Sequence, residues 1–454
     1  MGSQRDEAAE QAPGRLTVRS VPVADPGDLI GRLPRADPLA WVRRGDGLVG
    51  WGTAARITLP AGQDRFESGE KWLRQLFDGA QVDDQVNVAG SGPVAFGSFT
   101  FDPASDGSVL VVPSTVLARR DGTAWLTTIR TERDAAANGD DDLAPPADLE
   151  GLADLSGPGD RGGPAGLADL PDPAPLTVPS GVRWADGSLT APAWERAVGT
   201  AVAAIRAGQL RKVVLAMELN VYAAQDIDSR VLLSRLAGRY PDCYTFACAG
   251  LVGATPELYI RRDGRQLYSL VLAGTMPRGA TDQADRALGE TLLASAKDND
   301  EHQYAVADVR AALQPLCGDL RISARPFLLR LANVQHLATS VHGQLAAGEA
   351  ASYSALALTA AVHPTAAVCG TPAETAMELI GELEGMDRGR YAGPVGWVDA
   401  RGNGEWGIAL RCGEIEGRHA RLVSGCGIVA ESDPSAELIE AQTKFWPMRY
   451  ALEG

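Results

Sequence analysis

The chain has 454 residues, room for one large domain or two to three ordinary ones, with a hydrophobic content of 45% typical of globular proteins. Its 58 acidic against 42 basic residues leave a net charge of −16, and no Lys/Arg-rich run occurs, which argues against nucleic acid and membrane partners. An anionic small molecule stays open, because one arginine or a bound metal reverses the sign locally. The six cysteines are scattered without zinc-type pairing, and there is no signal-peptide core and no apolar run long enough to span a bilayer. Reduced thiols in a soluble cytoplasmic protein are therefore expected.

Residues 1–25 are polar and Pro/Gly-containing, and are expected to be disordered. Residues 26–133 read as strand-rich. Trp41-Val-Arg and Leu48-Val-Gly-Trp flank Arg44-Gly-Asp-Gly47, a hairpin signal. A short helix is predicted over 71–77, and strands over 93–102, 109–118 and 124–131. Residues 134–188 are dense in Asp, Gly, Pro and Ala and read as a flexible insertion with too little apolar surface to order itself. Order is expected again over 189–454. Trp194, Val198, Val202 and Ile205 recur at helical spacing, Gly208 stops the helix, and the apolar run 212–222 follows as a strand. Short strands are predicted over 245–251, 257–261, 266–272, 393–399, 407–412 and 420–423. Helices are predicted over 282–313, ended by Pro315, and over 357–362. Such a mixture of hairpins and helices predicts a mixed α+β fold in the α/β class rather than regular βαβ winding.

Two stretches offer paired carboxylates. After the Gly-rich turn Ser424-Gly-Cys-Gly427, Asp433 is a good N-cap and Pro434 suits the first helical position. On that helix Glu437, Glu440 and Lys444 share a stripe, while Leu438, Ile439, Phe445 and Trp446 are expected to face the core. In the 282–313 helix, Asp298 and Glu301 stand three apart, with Asp308 on the same face. Each pair alone reads as a solvated helix face. Together they suit a hard cation such as magnesium, which takes few protein carboxylates and completes its shell with water and an anionic ligand.

Lys212 opens an apolar strand. It is either a snorkelling edge lysine or a desolvated base, with Arg211 a candidate neighbouring cation. Glu257, after Pro256, is either a turn carboxylate or a general acid with a raised pKa. His302, His336 and His363 lack the i, i+4 spacing of paired metal ligands. Gly274-Thr275, Gly393-Pro394 and Gly425-Cys-Gly427 are weak anion-loop signals.

Taken in order, several motifs resemble the chorismate-utilising enzymes, and among them the isochorismate synthases above all. These are Lys212-Val-Val-Leu-Ala, Gly253-Ala-Thr-Pro-Glu-Leu, Leu272-Ala-Gly-Thr-Met-Pro-Arg-Gly, Lys297-Asp-Asn-Asp-Glu-His, Val334-Gln-His-Leu-Ala-Thr, His363-Pro-Thr-Ala-Ala-Val-Cys-Gly-Thr-Pro, Arg388-Gly-Arg-Tyr-Ala-Gly-Pro-Val-Gly-Trp, Ile408-Ala-Leu-Arg and the Ser424–Lys444 stretch. The likeness covers about residues 190–450.

The resemblance implies two packed β-sheets with helices outside and a Mg²⁺ site. Glu301 and Glu440 would bind the metal directly, with Asp298 and Glu437 behind them on metal-bound water. Arg411, Tyr391, Gly427 and Lys444 would hold substrate carboxylates, and Gly274 and Thr275 would line the floor near the ring hydroxyl. Lys212 stands where these enzymes carry the base that activates water for attack on ring carbon C2, with Glu257 as the acid. Anthranilate synthases have glutamine at that position. Ala273 stands where aminodeoxychorismate synthases have a nucleophilic lysine. The implied activity is Mg²⁺-dependent conversion of chorismate to isochorismate, by a monomer without a glutaminase subunit, serving menaquinone, siderophore or another synthesis. The alternatives are a salicylate synthase, which goes on to eliminate pyruvate, and a catalytically silent binding module. Retention of Lys212, Glu257 and the four carboxylates speaks against the second.

Overall fold

Runs of Val, Leu, Ile and aromatic residues, some alternating and some continuous, build two β-sheets in the computed structural model, which describes residues 14–132, 174–348 and 352–454. Among these residues the first sheet has 13 strands. From one edge it runs Arg183–Asp186, Lys212–Tyr222, His419–Ile428, Cys412–Glu416, Leu251–Thr255 and Tyr244–Cys248. It continues with Leu39–Arg43, Asp46–Trp51, Thr115–Arg120, Thr123–Thr131, Leu16–Val23 and Gln81–Asp84, and Gly370–Thr371 pairs with the start of Lys212–Tyr222.

The second sheet has 10 strands among the described residues. Its order is Cys317–Ile322, Val334–Leu345, Gln266–Pro277, Leu258–Asp263, Gly404–Ile408, Pro394–Asp399, Val94–Ser98, Ser108–Val112 and Ala55–Leu59, with Phe327–Arg330 beside Val334–Leu345. The sheets pack face to face around aromatic side chains. Trp41 of the first stacks on Tyr244 at 4.9 Å and donates its indole N–H to Glu405 of the second at 2.9 Å. Helices cover this sandwich. Ala296–Leu313 lies on Gln266–Pro277, Ala355–Val362 on the middle of the second sheet, and Ser229–Arg239 on the middle of the first. Both halves of the sequence contribute neighbouring strands to each sheet, as in the pairing of Tyr244–Cys248 with Leu39–Arg43 and of Pro394–Asp399 with Val94–Ser98.

Several expectations are corrected. The stretch expected to be disordered to residue 25 contains the strand Leu16–Val23, whose Leu16 and Val18 are buried against the core; residues 1–13 lie outside the described residues. The insertion was expected to run to 188, yet Arg183–Asp186 pairs with Lys212–Tyr222, and the carbonyls of Ala174 and Pro175 accept from buried Arg230 at 2.8 and 3.2 Å. A buried guanidinium needs acceptors, and these carbonyls supply them. Residues 134–173 of that segment lie outside the described residues.

The single strand expected over 109–118 is two, Ser108–Val112 and Thr115–Arg120, in different sheets. Pro113 between them has no N–H for a ladder. The long helix breaks at Ser295, whose hydroxyl caps the second half by accepting from the Asp298 N–H at 3.2 Å. The 245–251 strand turns at Ala249-Gly250, both at positive φ (47° and 82°), so that Leu251–Thr255 returns as a separate strand. At the C-terminal helices Phe445 is buried and Leu438 packs partly on the core, but Ile439 and Trp446 are 65% and 53% exposed rather than core-facing.

Candidate active site

The chain passes from one sheet to the other at Thr255-Pro256-Glu257-Leu258 and again at Ile408-Ala-Leu-Arg-Cys412. These two crossings are bonded to each other: the Ile408 N–H donates to the Glu257 carbonyl at 3.3 Å, and the Ala254 N–H to the Arg411 carbonyl at 3.2 Å. At a crossing the backbone leaves the ladder, so a polar side chain there can point into the space between elements. Glu257 and Arg411 do so, and Arg411 takes a positive φ of 50° to make the turn.

The cleft they open is lined by Glu257, Gly274, Thr275, Glu301, His336, Tyr391, Arg411, Gly427, Glu440 and Lys444, with Val214, Leu272, Val368 and Leu410 as apolar wall. Nine expected site residues thus meet in one place, although the chain spreads them over 188 positions from 257 to 444. Three others stand behind the wall. Lys212, Asp298 and Glu437 reach the site through neighbours rather than by lining it.

Glu257 is 5% exposed, and one carboxylate oxygen accepts only a long 3.4 Å bond from the Leu272 N–H. Burial pushes its pKa up to about 8, against the pull of that bond and of Lys212 and Arg411, so it holds its proton at neutral pH. Lys212 has no exposed side-chain surface. Its Nζ lies 3.1 Å from Oε1 of Glu301, while among the described residues no acceptor meets it in hydrogen-bonding geometry. Burial would raise the Glu301 carboxyl, but Lys212, helped by Lys444 and Lys297, holds it below the usual carboxylate value. The Arg211 guanidinium lies over the Tyr304 ring, 5.6 Å from the centroid.

Glu301 is placed by its helix. The next residue, His302, bonds Thr339 Oγ1 through Nε2 at 2.7 Å, and burial takes its pKa down to about 4, so a neutral imidazole pins the helix to Val334–Leu345. Asp298 at the same helix start bonds the Ser295 hydroxyl, and Asp308 caps the Ala366 N–H at 2.7 Å instead of joining the carboxylates.

The facing helix, Pro434–Thr443, is capped as expected by Asp433, which accepts from the Ala436 N–H at 2.9 Å. Its Glu437 is buried and accepts from Lys297 at 2.8 Å and the Ser432 hydroxyl at 2.7 Å. Glu440 pairs with Lys444 at 2.7 Å, and Lys444 also donates to the Gly425 carbonyl at 3.0 Å. Burial, then neighbouring carboxylates that include Glu301 and Glu437, raise the pKa of both Glu440 and Asp298.

These residues fit a hard divalent cation. Glu301 and Glu440 bring oxygen donors to one cleft from two helices, and their crowding is the kind a dication relieves. Gly427 keeps the space beside them open, since a Cβ there would lie 2.2 Å from Glu301 Oε1. Among the described residues no group of three or more His, Cys, Asp or Glu side chains is gathered tightly enough to hold a metal ion alone. The geometry therefore suits an ion that draws other ligands from water and a bound anion rather than a closed protein cage.

His336 is a cleft residue that reading histidines only as paired metal ligands overlooks. Its Nδ1 lies 3.1 Å from Thr275 Oγ1 and 3.3 Å from the Gly274 carbonyl. Burial first, then Arg411 and Lys444, hold its pKa far below the ordinary value, so it is neutral. The Arg411 guanidinium has no protein acceptor or ion-pair partner among the described residues and faces the cleft. Together with the Lys444 ammonium it makes the cleft ready for an anion despite the acidic chain.

Comparison with known proteins agrees with this geometry. The profile of the chorismate binding enzyme family matches residues 175–453. The isochorismate synthase MenF of Bacillus subtilis is 35% identical over 403 residues, covering 86% of this chain and 80% of that protein. The isochorismate synthase DhbC of the same organism is 39% identical over 270 residues, covering 57% of this chain and 67% of its own length. The structure of MenF, the menaquinone-specific isochorismate synthase of Escherichia coli, shares the fold with a TM-score of 0.74 at 24% identity, over 98% of this chain and 97% of that one. Matched over most of its length in sequence and fold, the chain belongs to the chorismate-binding enzymes.

Proposed function

We propose that the protein is an isochorismate synthase, converting chorismate to isochorismate. The observation that carries this reading is a buried carboxylic acid, Glu257, in the wall of the cleft, together with a buried lysine, Lys212, that stands behind the wall and reaches the cleft through Glu301. Water attacks ring carbon C2 and gives its proton to the Lys212 amine. Glu257 protonates the C4 oxygen, which leaves as water while the ring double bonds shift. One water enters and one departs, so the reaction is an isomerisation. An acid and a base so placed contribute roughly 10²–10⁴-fold each.

Arg411, Tyr391, Lys444 and the N–H groups beside Gly427 hold the substrate carboxylates, and Gly274, Thr275 and His336 form the floor. Glu301 and Glu440 would hold Mg²⁺, with Asp298 and Glu437 behind them; when bound, the ion supplies positive charge that draws in and orients an anionic substrate group. With water as nucleophile no glutaminase subunit is needed, and a single chain carries the whole site. Six cysteines, all buried and unpaired, support a cytoplasmic place of action, and no helix among the described residues is long and apolar enough to cross a membrane. The relatives' names attach menaquinone in one case and a DhbC-type isochorismate synthase in another, and menaquinone or siderophore supply are the two pathway readings they support.

The test is product analysis after adding chorismate and Mg²⁺ to the protein. Isochorismate alone supports the reading. Salicylate with pyruvate assigns the alternative chemistry, and unchanged chorismate overturns both.

A further inference from the structure

The strand that carries Lys212 is incompletely paired on one side. Residues 213–222 pair along their whole length with His419–Ile428. On the other edge, Lys212 and Val213 pair with Thr371 and Gly370, and residues 219–222 pair with Arg183–Asp186. Between these two short partners the backbone groups of Val214 and Ala216 have no neighbouring strand among the described residues. They are buried, so each needs a partner.

Side chains supply them. Glu384 Oε1 accepts from the Ala216 N–H at 2.7 Å, and Arg388 donates through Nη2 to the Val214 carbonyl at 2.7 Å. The Trp194 indole N–H donates to the Ala216 carbonyl at 3.3 Å, and the Val214 N–H donates to the Cys369 carbonyl at 2.7 Å. Glu384 and Arg388 pair with each other at 2.5 Å, their side chains 1% and 2% exposed, at the end of the helix Ala373–Glu384 and just beyond it. Arg388 also donates to the Val368 carbonyl at 2.8 Å. Val214 and Val368 both line the cleft. One guanidinium thus ties the Lys212 strand to the stretch of cleft wall that runs beside it.

A buried ion pair is a weak source of stability, since an apolar pair of similar volume often serves as well. Leucine and methionine cannot, however, donate to one backbone carbonyl and accept from the neighbouring N–H. We propose that Glu384 and Arg388 are positioning residues: acting as a substitute strand, they set where the Lys212 backbone stands relative to the wall at Val368. This rests on Lys212 acting as the base. A displacement of about 1 Å at a reacting group costs on the order of 100-fold in rate.

The test compares Arg388→Lys, Glu384→Gln and the apolar double variant Glu384→Leu/Arg388→Met with the wild type, at temperatures well below each melting midpoint. The double variant is expected to lose roughly 10- to 100-fold in kcat while the chorismate Kd from calorimetry stays within about threefold. Arg388→Lys, which still donates to Val214 and pairs with Glu384, is expected to recover part of kcat, and the pH limits of activity stay in place. If the double variant does not fold, the same split between kcat and Kd in Arg388→Lys and Glu384→Gln decides. Wild-type kcat in folded variants, or a loss that only follows the unfolded fraction, overturns the proposal. Wild-type protein that makes no isochorismate would instead overturn the function on which it rests.

Discussion

The Nζ of Lys212 lies 3.1 Å from Oε1 of Glu301, joining the first residue of the strand Lys212–Tyr222 to the second turn of a helix on the other sheet. The proposed base and a proposed metal ligand are therefore one electrostatic unit. Lys212→Met keeps the apolar stem and removes the ammonium. It is expected to lower turnover by roughly 10²–10⁴-fold, while chorismate binding by calorimetry stays largely intact, because the carboxylate contacts belong to Arg411, Tyr391 and Lys444. Near-wild-type turnover would remove Lys212 from the mechanism.

Glu257 makes a pH-dependent prediction. Its pKa of about 8 lies above the ordinary 4.5, so between those values the folded state keeps a proton that the unfolded chain has released. Stability then falls as pH rises through that window, and the contribution of the protonated acid is lost above about 8. Glu257→Gln has no proton to lose. It is expected to gain thermal stability relative to wild type as pH is raised from 5 to 8, and to lose roughly 10²–10⁴-fold in activity below about pH 8, where the wild-type acid keeps its proton. Wild-type activity should fall on the alkaline side near pH 8. Parallel melting curves for the two proteins across this range would contradict the assignment.

Turnover is expected to require Mg²⁺ and to stop in excess EDTA, returning on adding the metal back. Glu440→Gln should weaken Mg²⁺ and chorismate binding together, as titration calorimetry would show, since each ligand completes the other's site. Full turnover in EDTA, or normal binding by the variant, would place the metal elsewhere or nowhere.

Gly427→Ala tests the space between the acid-lined helices. Its methyl would sit 2.2 Å from Glu301 Oε1 and 3.0 Å from Lys212 Cε, so one of the two must move. A folded protein with at least roughly 100-fold lower activity is expected, with a near-unchanged circular dichroism spectrum. Wild-type activity would show that the Lys212–Glu301 geometry is not required.

The segment before residue 183 sets a limit on loop removal. Joining Arg133 to Gly181 through a short Gly/Ser link deletes the Ala174 and Pro175 carbonyls that serve buried Arg230, and the Thr177 N–H that donates to Asp228 at 3.3 Å. Each group left without a partner costs about 1–3 kcal/mol. A denaturation midpoint clearly below that of a deletion ending at residue 172 is expected; equal midpoints would show that these contacts contribute nothing.

Local sequence was enough where one element decides the outcome. Apolar spacing marked the helix at Trp194–Ile205, Asp433-Pro434 marked a helix start, and Arg44-Gly-Asp-Gly marked the hairpin between Leu39–Arg43 and Asp46–Trp51, all as observed. Misreadings came where a long-range partner overrides local preference. Val109 to Ala118 is one apolar run that two sheets divide, and the polar 174–188 stretch is ordered by Arg230 and a strand far along the chain. Ile439 and Trp446 fit an apolar stripe, yet the buried sides of their helices carry Glu437 and Ala441 in the one and Met448, Ala451 and Leu452 in the other.

For the site, the sequence by itself determined which groups are available: a lysine at a strand start, an acid after a proline, carboxylates at helical spacing and glycines near them. Those identities follow from residue type and short spacing, which the chain carries in one dimension. Only the tertiary structure decided that Glu257 stands where the chain crosses between sheets and is stripped of water, that Lys212 meets Glu301, and that His336 turns into the cleft while Asp308 turns to Ala366. Desolvation and charge pairing depend on neighbours up to a hundred or more residues away, and no local pattern encodes them.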